Sequence, residues 1–516
     1  MSDPASPVVD EANRIAALFD YPAAEVNRGV EEFIREMNEG LQRDGTTLSQ
    51  IPSYITAVPD GTEKGLYLAV DLGGTNFRVC SITLNGDSTF SMEQSKSPIP
   101  RDLMVTKSAQ ELFSYLALQI EKFLTAHLSE HYTAHPEKRQ VTAPYREDEI
   151  FDLGFTFSFP VLQHGINQGN LLRWTKGFDI AEAVGQDVCK LLQDAIDERH
   201  LPVRVAALIN DTVGTLMARS YCSPGSSKAL IGAIFGTGTN GAYVEKLDRV
   251  AKLTTTNGAA PAPQTSYDTT TGEMVVNTEW GSFDNPLAVL PTTPYDAALD
   301  AASNNPGIQM FEKRISGMFL GEILRRALLD MATNPAVNLF DGTNNSKNTS
   351  SSSSSSDSPL HTPWGIDTSF LSTVKADHSP DLSTTHSKLK SDLAITNPTP
   401  SDCRAVKILV HAIGKRAARL SAVALAAIII STGKLENNDS DSDSGEEEMV
   451  DIGVDGSVVE HYPGFEGYLR QAFREIPQIG EKGESRISIG VAKDGSGVGA
   501  ALGALVAREA AVRRGF

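Results

Sequence analysis

The chain has 516 residues of ordinary globular composition, more than one hydrophobic core usually organises, so two domains are expected. Lys plus Arg number 45 against 65 Asp plus Glu, a formal net charge of −20, which argues against a nucleic-acid partner or an anionic membrane surface. The opening MSDPASPVVDEANR lacks the apolar core of a signal peptide, the longest small-apolar run (Ala422 to Ile430) is far shorter than a membrane span, and Cys80, Cys189, Cys222 and Cys403 stand apart without metal or redox spacing, so the expected location is cytoplasmic.

From Glu11 to Leu41 the apolar spacing predicts two amphipathic helices broken near Tyr21 and Pro22. A strand over Gly65 to Val70 then runs into Asp71, Leu72, Gly73, Gly74, Thr75, Asn76, Phe77 and Arg78, before a second strand through Ile82. Glycines let backbone N–H groups approach phosphate oxygens without a Cβ in the way, so this is a candidate phosphate-gripping hairpin, with a plain hairpin as the alternative. In the first reading Asp71 can hold Mg²⁺ through water and Arg78 can meet a phosphate. A long amphipathic helix is expected over Ala109 to Leu128.

The segment LGFTFSFPVLQHGINQGNLLRWTKGF, Leu153 to Phe178, carries the most information. Phe151 to Phe159 reads as a buried strand stopped by Pro160, which leaves Ser158 at the strand end; amide, hydroxyl and ammonium groups then follow among aromatic rings, up to Trp174, Thr175 and Lys176. Sugar hydroxyls donate and accept, so this mixture suits a polyhydroxylated ligand, although a strand, a turn and a second strand would give a similar string. In its fixed spacing of Ser158, Phe159, Pro160, Asn167 and the Trp174–Lys176 triplet, the segment resembles the sugar-binding signature of the hexokinase family. The resemblance implies that Ser158, Phe159, Pro160, Thr175 and Lys176 bind sugar.

A helix is expected over Ile180 to Glu198 and an apolar strand over Val203 to Ile209, which ends at Asn210 and Asp211. A carboxylate where a buried strand meets a cleft is a candidate general base; a helix cap is the alternative. By the resemblance Asn210 and Asp211 bind the sugar and Asp211 is the catalytic base. Next come Leu230 to Phe235, then Gly236, Thr237, Gly238, Thr239, Asn240 and Gly241. These match G-x-G-x-x-G, but the dinucleotide fingerprint needs a following helix, and AYVEKL reads as a returning strand, so a second phosphate hairpin is expected, with Thr237 toward phosphate and Asn240 toward sugar.

In VVNTEWGSFD, Glu279 follows a short strand, and Glu312 lies in what reads as a long helix continuing to Leu329. Both match family positions whose carboxylates accept hydrogen bonds from sugar hydroxyls, and the run from Leu290 to Leu329 resembles the fungal glucokinase branch of the family. Residues 341–358 form a Ser-rich insertion expected to be disordered, and residues 436–448, with seven acids and no base, an acidic disordered loop whose Ser440, Ser442 and Ser444 suit an acid-directed protein kinase. Arg404 to Ile430 is a packing helix, basic on one side. Strands are expected over Met449 to Val454 and Ile487 to Val491. The first leads to the turn Asp455, Gly456, Ser457, similar to the family's adenosine motif; the second leads to Gly495 and Ser496, which in the family meet the nucleotide.

The resemblance implies an α/β, two-lobed, actin-like ATPase (ribonuclease H-like) fold of the hexokinase type. Residues 66–210 plus 495–512 would form the small lobe, and 11–65 plus 211–494 the large lobe. The implied activity is transfer of the γ-phosphoryl of ATP, with Mg²⁺, to the 6-hydroxyl of glucose, other hexoses remaining open, with Asp211 and Lys176 catalytic. A glucose sensor of the same fold without catalysis is the alternative.

Overall fold

The computed structural model describes residues 6–129, 145–223, 229–254, 267–340, 358–436, 449–492 and 494–513. Almost all of the Ser-rich insertion (all but Ser358) and of the acidic loop, including Ser440, Ser442 and Ser444, lies outside them. In chain order the strands are β1 (Ile51–Pro52), β2 (Lys64–Leu72), β3 (Asn76–Asn85), β4 (Phe90–Pro98), β5 (Phe151–Phe157), β6 (Val161–Gly165), β7 (Gln168–Leu171), β8 (Val203–Ile209), β9 (Ala229–Phe235), β10 (Thr239–Lys246), β11 (Glu273–Asn277), β12 (Val450–Asp455) and β13 (Ile487–Val491). They form a five-stranded sheet ordered β4-β3-β2-β5-β8, a six-stranded sheet ordered β1-β11-β10-β9-β12-β13, and the β6-β7 hairpin. The helices that matter for the site are α1 (Pro7–Ala17), α2 (Ala23–Gln42), α3 (Ala109–His127), α4 (Val188–Glu198), α5 (Asp211–Cys222), α6 (Gly317–Thr333), α7 (Pro400–Thr432) and α8 (Gly495–Arg513).

Each sheet is covered on one face by its own helices. Leu112, Leu116 and Ile120 of α3 and Leu192 and Ile196 of α4 bury against Val70, Phe155 and Val205 of the five-stranded sheet. On the six-stranded sheet, α2 and α7 supply Phe33, Met37, Ala424 and Ile428 against Ile231, Val276 and Ile452. A third cluster joins the sheets' other faces: α5 and α8 pack together, with Leu216, Met217, Val498 and Leu502 buried among Ala69, Ile209, Ala242 and Val275. The approach of α8 is close enough to need glycine, since a Cβ on Gly499 would lie 2.2 Å from Gly214 Cα of α5.

Three expectations are corrected by the hydrogen bonds and ion pairs of the folded chain. The helix expected from Ile180 begins at Val188, because the Asp187 carboxylate accepts from the Cys189 and Lys190 N–H groups and caps it there. The long helix through Glu312 is two: the turn Glu312–Ile315 stops at Ser316, whose backbone is extended, and α6 starts afresh with Gly317 and Met318 N–H donating to Gly236 and Thr237 carbonyls at 2.7 and 3.1 Å. The basic side of α7 is partly internal, since Arg416 and Arg419 are buried on Asp296 and Glu475.

Glu36 of α2 is only 3 % exposed and accepts from the Asp284 N–H at 3.4 Å. Burial raises its carboxyl to about 7, with the charges of Glu32 and Asp284 adding and that N–H and Arg35 opposing. A raised folded-state value means stability present below the ordinary Glu range and lost as pH rises through about 7. Glu36→Gln is therefore expected to stabilise the protein at about pH 8 by on the order of 3 kcal/mol and to do little near pH 4.5, measured by urea unfolding at both.

Candidate functional site

The register of the five-stranded sheet lines up one row of side chains. Lys96 of β4 pairs with Arg78 of β3, Arg78 with Asp71 of β2, Asp71 with Thr156 of β5, and Thr156 with Ile209 of β8, directly before Asn210 and Asp211. Lateral neighbours share a face, so the β2-β3 turn, the end of β5 and the start of α5 converge at one edge. Ser158 follows β5 there: its N–H donates to Leu72 O at 3.3 Å, and a Cβ on Gly73 would lie 3.5 Å from its Oγ.

The expected phosphate hairpin is antiparallel, as predicted, and borders a pocket of about 490 Å³ lined by Asp71, Gly73, Gly74, Thr75, Asn76, Arg78, Gln94 and Lys96. Arg78 is engaged by the protein itself: Nη1 donates to Asp494 Oδ2 at 3.0 Å, and Nη2 to Ser496 Oγ at 2.5 Å and to Asp71 Oδ2 at 3.5 Å. Ser496 O in turn accepts from Thr156 Oγ1 at 2.7 Å, so the start of α8 is tied into this corner. Gly495 fits only without a side chain, its Cβ position being 2.7 Å from Thr215 Oγ1. Gln94 and Lys96 escaped the sequence reading because β4 did; its polar, half-exposed stretch carries only Phe90 and Met92 as a period-two signal.

Phe159 is turned inward, its ring 5.0 Å from Trp174 and 5.2 Å from Phe178, so the aromatic group forms a wall rather than an open face. Lys176, with a left-handed backbone, lies over that ring and donates from Nζ to Ser158 O at 2.9 Å. Pro160 O accepts Leu172 N–H and Thr175 O accepts Phe178 N–H, which fixes the loop bearing the lysine. Burial lowers the Lys176 ammonium, and the charges of Asp211 and Asp71 oppose that.

Asn210 takes the cap, its Oδ1 accepting from Thr212 N at 2.9 Å, which leaves Asp211 as the first residue of α5. Burial and the Glu279 charge raise Asp211 to about 6, against the pull of Lys176 and the Thr212 N–H. Burial also raises Glu279 and Glu312. The charge of Glu279 raises both other acids, so the three predicted carboxylates lie within electrostatic reach of one another.

The second hairpin, β9-β10, is also antiparallel, and no helix follows its glycines, so the dinucleotide alternative is excluded. Glu312 Oε2 accepts from Thr239 N at 3.0 Å, and a Cβ on Gly238 would meet the same oxygen at 2.9 Å. Gly236 abuts Gly456, whose φ of 116° and close contact with Phe235 O require glycine. The turn Asp455, Gly456, Ser457 and the turn at Thr237 thereby form one glycine-lined corner. Asn240 donates from Nδ2 to Asn277 Oδ1 at 2.8 Å and to Glu279 Oε1 at 3.2 Å. Asn277, which the sequence reading passed over, donates to the same Glu279 oxygen at 2.8 Å.

Chemically, the corner joins a carboxylate able to take a proton near neutral pH, the ammonium of the exposed Lys176, further acceptor carboxylates, and two glycine turns presenting backbone N–H groups. Comparison with known proteins finds that models of the family described as "Hexokinase" match residues 11–221 and 230–506. The chain is 61% identical over 509 residues to a glucokinase from Aspergillus niger, covering 99% of each, and 41% identical over 524 residues to glucokinase-1 from Saccharomyces cerevisiae, covering 97% of each. It also resembles the solved structure of a hexokinase from Schistosoma mansoni complexed with glucose, with 32% identity, a TM-score of 0.74, and coverage of 96% of this chain and 98% of that one.

Proposed function

The chain belongs to the hexokinase family, and from that premise we propose that it phosphorylates glucose at the 6-hydroxyl with ATP, using Asp211 as base. It has the two-lobed α/β fold of that family. The observation that carries the residue assignment is the meeting of Asp211, Lys176, Glu279 and Glu312 beside two glycine hairpins. In this reading residues 66–210 plus 495–512 make the small lobe and 11–65 plus 211–494 the large one, with the sugar between them.

Asn210, Glu279 and Glu312, with Ser158 and Thr175, hold sugar hydroxyls, while Asn240, expected toward the sugar, spends its carboxamide on Asn277, Glu279 and Gly241 and so supports Glu279 instead; carboxylate acceptors make such bonds strong and directional. Asp211 accepts the proton of the attacking hydroxyl, and holding that hydroxyl in line supplies much of the rate. Lys176 stabilises negative charge on the transferring group, together with the N–H groups around Gly73, Gly74, Thr75, Gly236, Thr237 and Gly238. Lys96 and Asn76 hold phosphate from the pocket floor, while the Asp455–Ser457 turn and Gly495 and Ser496 receive the rest of the nucleotide. Asp71 lines the pocket beside the first glycine turn, where one carboxylate suits Mg²⁺ held through water and completed by phosphate oxygens. The ion would neutralise phosphate charge there. No helix among the described residues is long and apolar enough to cross a membrane.

A non-catalytic glucose sensor is not favoured, since Asp211, Lys176 and both hairpins are in place. The test is steady-state phosphorylation of glucose and fructose with Mg-ATP across pH. Glucose turnover should exceed fructose turnover, and kcat should fall by about tenfold per pH unit below about 6, because Asp211 must be ionised to act. Absence of turnover with either sugar would refute the proposal.

A further inference from the structure

Glu279 is held in an uncommon way. Its φ of 53° lies in the left-handed region, which a residue bearing a Cβ occupies at a cost, and it stands between the end of β11 and the short turn Trp280–Ser282. A strained residue at a binding site persists only if its neighbours over-determine it. Here the neighbour is one side chain two residues earlier. Asn277 is 6 % exposed, and its strand position is fixed by pairing with Ile51 on one side and Ala242 on the other. Its Nδ2 donates to Glu279 Oε1 at 2.8 Å, while its Oδ1 accepts from the Glu279 backbone N–H at 3.3 Å and from Asn240 Nδ2 at 2.8 Å.

One carboxamide therefore grips the backbone and the carboxylate of Glu279 and orients Asn240 as well. Asn240 has no amide hydrogen left over: its two point at Asn277 and Glu279, and its Oδ1 accepts from Gly241 N at 2.8 Å and Thr278 Oγ1 at 3.3 Å. The amide donors of Asn277 and Asn240 both fall on Glu279 Oε1, and among the described residues no donor is seen on its Oε2.

We infer that Asn277 is a positioning residue of the sugar site, which holds Glu279 in its strained conformation with Oε2 turned to the ligand and so sets glucose affinity without touching the sugar. The inference rests on the sugar-site reading proposed above. It differs from a packing role in its kinetic signature. Glu279 engages hydroxyls that do not react, so its interaction is made equally in the ground state and the transition state, and its loss raises KM while leaving kcat in place.

The test uses Asn277→Asp, isosteric and lacking the donor, and Asn277→Ala, lacking both groups. Measured are kcat, KM for glucose and for ATP, thermal midpoint, and glucose affinity without ATP from tryptophan fluorescence. KM for glucose and the glucose Kd should rise at least about tenfold in both variants, with kcat and KM for ATP changed by less than about threefold. The inference is overturned if glucose KM and Kd stay within about twofold of the unaltered protein, or if kcat and both KM values worsen together in step with a lowered thermal midpoint. Should Asn277→Ala fail to fold, Asn277→Asp alone decides. The fluorescence titration needs no turnover, so failure of the catalytic reading and failure of this inference are separately visible.

Discussion

Asp211→Ala is expected to lower kcat for glucose phosphorylation by roughly a thousandfold while glucose affinity changes only a few-fold. The reasoning lies in what Asp211 does structurally, which is little. The cap of α5 belongs to Asn210, and the protein donor recorded on the Asp211 side chain is the adjacent Thr212 N–H. Removing the carboxylate thus leaves the helix start intact and relieves Glu279 and Glu312 of a like charge. What disappears is a proton acceptor whose value, raised by burial to about 6, keeps it ionised at neutral pH yet more basic than an exposed Asp. Equilibrium titration with glucose beside single-turnover kinetics separates the two effects. Loss of glucose binding with turnover per bound sugar preserved would remove Asp211 from the role of base.

The largest effect on stability is expected at Asp296, whose partner is a buried arginine. Its carboxylate takes both Nη groups of Arg416 at 2.7 and 2.8 Å, and the two side chains are 2 % and 0 % exposed. Asp296→Asn retains the shape and an acceptor for the Thr293 cap but leaves Arg416 buried without a counter-charge, so unfolding free energy should fall by about 3–5 kcal/mol. Burial pushes the Asp296 carboxyl up, but the charge and hydrogen bonds of Arg416, joined by Arg314 and the Thr293 N–H, bring it down to about 2. A depressed value means stability present above the ordinary Asp range and lost as pH falls through about 2, so the deficit should be full at neutral pH and vanish in strong acid. A cost below about 1 kcal/mol in urea unfolding at neutral pH would show that the charge pairing is not what holds the helix Pro294–Ala301 to α7.

How far the sequence reached depended on whether a signal was local. Both glycine hairpins, β5 with Ser158 at its end, and β8 leading to Asp211 were legible, because strand periodicity and turn residues act over a few positions. The break at Ser316 was not: what stops the helix there is a pair of carbonyls on Gly236 and Thr237, some eighty residues earlier in the chain. Nor was the fate of Arg78, which sits in the right hairpin but whose charge is taken up by Asp494, more than four hundred residues on. Asn277 was invisible for a similar reason, since its significance lies in partners on β10 and in the backbone angle of Glu279. The VVNTEWG string does hold a usable cue, an Asn two residues before an acid at a strand end, the spacing at which such side chains bond their own backbone.

The place of α8 bears on how the protein comes to exist. The helix covers β2, β5 and β8, which are made in the first half of the chain, but its own residues begin at Gly495. During synthesis at about 5–20 residues per second, the five-stranded sheet therefore waits tens of seconds with Ala69, Ala207 and Ile209 uncovered. The five-stranded sheet, complete in the first half of the chain, is thus among the last parts to be covered. A ribosome stalled after the second glycine turn but before the final segment leaves a chain with the base and both glycine turns made, yet without the Ser496 and Asp494 contacts that hold Arg78, so such fragments are expected to be inactive and exposed to chaperones and proteases rather than partly functional.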